Sequence, residues 1–178
     1  MPDSPAEKNL RRVLLISALD GWSIAVFAGF CTFVSLLFGE WIGVSIGALI
    51  TAAGVIEIRG RKRLVRGEPT GMSSLIRAQL IILGIVLLYS LENLLAYDES
   101  ALMAQITPEI RGYLSQAGIA ISDLQPMIKP VYMSLYLTVI GVTVLFQGGL
   151  ALYYRSCRAK VTEALAARRP ALPILPQV

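Results

Sequence analysis

Four long apolar blocks separated by short charged segments leave this chain few ways to fold. The blocks cover roughly residues 13–38, 42–57, 75–97 and 130–154. About 20 apolar residues cross the hydrocarbon core of a bilayer as a helix. A helix also satisfies its own backbone donors and acceptors, as lipid requires. Of the 178 residues, 55% are hydrophobic, more than a soluble domain this small has interior to hide. The expected fold is therefore all-α, an integral membrane four-helix bundle. Residues 1–12 form a polar N-terminal segment, 58–74 a basic loop and 155–178 a basic tail. Residues 98–129 form an amphipathic extracytoplasmic connection between spans 3 and 4.

Turn and cap chemistry sets the boundaries. The first block follows a basic segment, as a signal peptide's would, but it is too long for one. Gly39, Glu40 and Trp41 make a tight turn between spans 1 and 2. Gly67, Pro69 and Gly71 break the chain after the second span, and Ser73 or Ser74 can cap the third. Within 98–129, Thr107-Pro108-Glu109 reads as a helix start and Gly118 as its stop. Leu102, Met103, Ile106, Ile110, Tyr113 and Leu114 would give that segment one apolar face.

The basic residues set an orientation. With the N-terminus, the 58–74 loop and the tail on one side, that side, with Arg77 at its boundary, holds fourteen of the sixteen Lys and Arg, leaving Arg111 and Lys129 opposite. The positive-inside rule then expects a bacterial inner membrane protein with both termini cytoplasmic. The stretch Arg59, Arg61, Lys62, Arg63 and Arg66 fits contact with anionic headgroups, each charge contributing about 1 kcal/mol. It lacks the aromatic interleaving of a nucleic-acid surface.

Counting residues from the turn at Gly39 gives each polar side chain a depth. Asp20, Glu57, Arg59, Arg77 and Arg155 fall in one layer at the cytoplasmic boundary, where Asp20 or Glu57 is expected to pair with Arg77. This layer either anchors the helices at the headgroups or forms a vestibule. Glu92 and Asn93 lie about 22 Å above Arg77, at 1.5 Å per residue. Glu92 either faces into the bundle as a cation or proton site, with Asn93 beside it, or reaches to the outer headgroups. Gln147 is expected to form an interhelical hydrogen bond.

Small residues recur every four positions on the first two spans: Ser17, Gly21, Ala25 and Gly29, then Gly39, Gly43, Gly47 and Thr51. Such strips let backbones approach closely in lipid. They fit either a tight hairpin within one chain or a seam between copies.

Catalytic signals are missing. The sequence has no histidine and no CxxC pair, and its two cysteines are Cys31 and Cys157. No Walker loop, GxGxxG, HExxH or GxSxG occurs, so no catalytic residue, metal site or cofactor is assigned and an enzyme is disfavoured. Four spans with a long outer connection resemble the topology of disulfide-generating quinone oxidoreductases and of tetraspanins. Both use cysteines in outer loops, where this chain has none, so no residue role carries over. The expected function is that of a small non-enzymatic membrane protein, channel- or transport-like and open to homo-oligomerisation. The alternative is an accessory or scaffold subunit of a larger membrane complex.

Overall fold

A computed structural model describes residues 4–104, 106–118 and 120–168. The expected helix breaks appear as helix ends. α1 (Pro5–Leu37) starts at Ser4, whose hydroxyl accepts from the Glu7 amide at 3.2 Å, with Pro5 in the first turn. It stops at Gly39, whose φ of +71° closes the C-cap. α2 (Trp41–Val65) runs on through the basic stretch and ends before Gly67, at φ +81°. α3 (Thr70–Leu95) begins directly after Pro69. Ser73 and Ser74 therefore lie inside it rather than capping it. α4 (Glu99–Ala104) and α5 (Pro108–Gln116) form the connection. Thr107 caps α5, and Gly118 ends it at φ +71°.

α6 (Ile121–Thr143) starts well before the expected 130 and contains Pro126 and Pro130. A π-helical turn at Val144–Gly148 joins it to α7 (Gly149–Arg168). Four helical stretches are long and apolar enough to cross a membrane: Pro5–Leu37, Trp41–Val65, Thr70–Leu95 and Ile121–Arg168. The protein is an all-α, multi-pass membrane protein. Large apolar side chains such as Phe27, Phe30, Leu88 and Leu145 stand exposed along these helices, the reverse of a soluble fold. Arg169 and the proline-containing segment after it, assigned to the tail, lie outside the described residues.

The chain divides into two compact units. The first contains the described residues up to Ile85 and from Phe146 onward. Its core joins Leu10 and Val13 of α1, Leu64 of α2, Met72 and Leu75 of α3, and Tyr154, Cys157, Val161 and Leu165 of α7. Residues 155–168 of the tail expected from its charges are thus helical, with apolar residues at three- and four-residue spacing facing this core. Arg168 in its last turn pairs with Glu7 in the first turn of α1.

α1 and α2 form an antiparallel hairpin in the same unit. Going down it, Ser35 faces Gly43, Thr32 faces Gly47, Gly29 faces Thr51, Ala25 faces Gly54 and Gly21 faces Glu57. Each helix advances fourteen residues in four steps, 3.5 per step. That repeat belongs to left-handed, coiled-coil-like packing. The four-residue ladders read from the sequence therefore enter the seam only in part. Gly39 belongs to the turn. Gly54, absent from the ladders, comes closest to the facing backbone, where a Cβ would lie 3.0 Å from the Ala25 nitrogen.

The second unit, Val86–Leu145, carries a chain of tyrosine rings. Tyr97 and Tyr132 have centroids 5.2 Å apart, Tyr132 and Tyr136 4.8 Å, and Tyr136 and Tyr89 6.3 Å. The Tyr132 hydroxyl donates to the Asn93 carbonyl at 3.1 Å.

Candidate functional site

The first unit gathers four polar side chains from four helices directly above its apolar core. Gln79 on α3 extends the core stripe of Met72, Leu75 and Ile82 at helical spacing, so its amide is carried inward with them. Its Nε2 donates to Asp20 Oδ2 at 2.6 Å and to Glu57 Oε2 at 2.9 Å. Tyr154, on the α7 stripe with Cys157 and Val161, donates its hydroxyl to Glu57 Oε1 at 3.0 Å. Glu57, Gln79 and Tyr154 are fully buried, and Asp20 is half-buried. Gly21 makes room for Glu57, whose Cγ would lie 3.2 Å from a Cβ there.

The charge layer expected from depth counting thus resolves into two groups. Asp20 and Glu57 meet. Arg59, Arg77 and Arg155 are exposed. The expected pairing of Asp20 or Glu57 with Arg77 does not form. Among the described residues no Lys or Arg nitrogen lies within ion-pair distance of either carboxylate. Helical geometry explains this. Arg77 is two residues before Gln79 and Arg59 two after Glu57, and such neighbours stand roughly 200° apart around a helix. With Gln79 and Glu57 turned inward, the two arginines point out.

The Gln79 amide turns its nitrogen, a donor, toward the two carboxyl groups. Its Oε1 is then buried with no hydrogen-bond partner among the described residues. Glu57 is saturated differently, with each oxygen engaged by a separate donor. The arrangement offers oxygen ligands and negative charge in a low-dielectric setting. It has no nucleophile–base pair.

The other sequence candidates fall elsewhere. Glu92 is exposed on α3, so no inward-facing acidic site forms there within one chain. Asn93 is half-buried, donates to the Tyr89 carbonyl at 2.8 Å, and receives Tyr132. Gln147 lies in the π-helical turn, and its Oε1 has no partner among the described residues, in place of the expected interhelical bond. Ser17 is buried and Ala25 lies against Gly54 in the hairpin. Lys62, Arg63 and Arg66 are exposed, with Arg63 donating to Ser74 at 3.2 Å. Arg61 turns back and donates to the Leu14 carbonyl at 3.1 Å.

Sequence reasoning missed Gln79, Tyr154 and Gly54 as site and seam residues. The signal was available, since each is a polar or small residue on an apolar stripe of period 3.6. Comparison with protein families, with curated proteins and with solved structures finds no match to this chain.

Proposed function

We propose that this protein is a small, non-enzymatic, channel- or transport-like protein that moves cations, with Asp20 and Glu57 as the charged site. The observation that carries this reading is the full burial of Glu57 beside Asp20 without a basic partner among the described residues. Acidic groups within membrane segments are costly and are retained mainly where they handle ions or protons. The reading places the four helices as a bundle in a bacterial inner membrane, both termini cytoplasmic, in keeping with the basic residues at one end. The exposed Arg59, Lys62, Arg63 and Arg66 would then lie against anionic lipid headgroups.

The glycines no longer argue for self-association, because Gly43 and Gly47 face Ser35 and Thr32 of the same chain. The test is cation flux in proteoliposomes. Asp20→Asn and Glu57→Gln are each expected to lower it at least tenfold, while Glu92→Gln leaves it unchanged. Flux indifferent to both Asp20 and Glu57, or no flux at all, overturns the reading. In the second case, co-purification with a stoichiometric partner in mild detergent would favour an accessory subunit.

A further inference from the structure

We propose that the groove between the basic ends of α2 and α3 holds one anionic phospholipid, its phosphate bound by Arg59, Arg63, Arg77 and the Ser74 hydroxyl. The site rests on the orientation proposed above, which puts these ends at the headgroups. It goes beyond general headgroup contact in having its own ligands, two of them on α3.

Glycine packing makes the groove. A Cβ at Gly71 would lie 2.5 Å from the Gly60 carbonyl oxygen, and one at Gly60 would lie 2.9 Å from Ser74 Cβ. Backbones this close let side chains from both helices reach one point. Arg63 does so already, its Nη1 donating across the groove to Ser74 Oγ at 3.2 Å. One turn further into the span, α2 carries Arg59 and α3 carries Arg77. Residues three or four apart share a helix face, so Arg59 follows Arg63 and Arg77 follows Ser74. The helices run antiparallel here, with Leu64 against Gly71, Gly60 against Ser74 and Glu57 on Gln79. Steps of four residues on α2 and three on α3 therefore rise the same way, by about 6 and about 4.5 Å. Arg59 and Arg77 thus flank the groove at similar height, above the Arg63–Ser74 bond.

These donors are unspent. Arg59, Arg63 and Arg77 are exposed, and none forms an ion pair among the described residues, Glu68 in the adjoining turn included. Ser74 accepts from Arg63, and its own hydroxyl hydrogen has no acceptor among the described residues. Three cations and a free hydroxyl around one groove complement an anion. Guanidinium forks match phosphate oxygens two at a time, whereas lysine offers a point charge. Above the arginines the surface turns apolar: Val55 lies one turn beyond Arg59 and Ile81 one turn beyond Arg77, both exposed. A phosphate carrying acyl chains fits charge followed by apolar surface, and a free phosphate leaves the apolar part uncovered. Basic pockets between helices on the cytoplasmic side hold lipid headgroups in this way. Lys62 is the internal control. It lies two residues from both Gly60 and Leu64, hence roughly 200° around α2 from the face that meets α3.

The experiment titrates the purified, delipidated full chain in mild detergent with phosphatidylglycerol, phosphatidylcholine or inorganic phosphate. Native mass spectrometry counts bound lipid, and thermal melts follow stability. One phosphatidylglycerol is expected to bind each chain saturably and raise the melting temperature, with neither of the other two matching it. Arg63→Gln and Arg77→Gln are each expected to weaken binding about fivefold or more while changing the lipid-free melt little. Lys62→Gln is expected to leave binding unchanged. Binding that survives both arginine variants, or that falls equally with Lys62→Gln, overturns the site and leaves general headgroup contact standing. No preference for phosphatidylglycerol over phosphatidylcholine overturns both. Stabilisation by inorganic phosphate equal to that by phosphatidylglycerol overturns the lipid as ligand.

Discussion

The hydroxyl of Tyr154 on α7 donates to Glu57 on α2 at 3.0 Å, across 97 positions of chain, and both side chains are fully buried. This bond ties the last spanning helix to the second. Tyr154→Phe leaves Glu57 Oε1 without its donor while keeping the ring in the core. An unsatisfied buried acceptor costs about 1–3 kcal/mol. A loss in that range is expected in unfolding measurements in detergent, and an unchanged stability would show that Glu57 finds another donor.

The hairpin makes a different prediction. A Cβ at Gly54 would lie 3.0 Å from the Ala25 nitrogen and 3.2 Å from its Cα, so a side chain there fits only if the facing backbone gives way. Gly54→Val is expected to destabilise by roughly 1–3 kcal/mol or more through overpacking. Gly84→Ala, where nothing lies within 4 Å of the added carbon, is expected to be neutral or slightly stabilising through helix propensity. Melting the two variants side by side separates packing from propensity. Equal effects would contradict the seam.

Neighbouring polar residues on α3 should differ sharply. Arg77 is exposed and Gln79 buried. Arg77→Ala is expected to change stability by no more than about 0.5 kcal/mol. Gln79→Leu removes the shared donor of two carboxylates and is expected to cost several times more. Comparable losses in the two variants would mean that Arg77, not Gln79, compensates the carboxylates.

Outside the spans, Asp98 accepts from the Ser100 hydroxyl at 2.6 Å and the Ser100 amide at 2.8 Å. These bonds favour the ionised carboxylate and hold it below its ordinary value of 3.8. A lowered value in the folded state means that the turn is stabilised above pH 3.8 and loses that support as pH falls through the depressed value. The Ser100 amide resonance is expected to titrate with a midpoint below 3.8. A midpoint at or above it would mean that the Asp98–Ser100 turn is not formed in solution.

The sequence by itself determined the helical class, the helices long and apolar enough to cross a membrane, and the relative height of residues along each helix. Counting from Gly39 puts Asp20 and Glu57 at one height, and the two meet at Gln79. The reason is physical: helix rise is constant, so distance along the chain becomes distance along the axis. Turn chemistry was equally local, and Gly39, Gly67 and Gly118 all adopt the positive φ that ends a helix.

Only the tertiary structure decided which way each residue at a given depth faces. Arg77 and Gln79 share a layer, and the rotation of α3 against the core sends one outward and the other onto the carboxylates. The same rotation sets Glu57 inward and Arg59 outward. It also explains the seam. Strict four-residue ladders drift around a helix of 3.6 residues per turn, whereas two helices in long contact settle on 3.5 and recruit Gly54 in place of Gly39. Rotation depends on how neighbouring helices pack, and a lipid-facing helix, apolar on most sides, gives only a weak local sign of it.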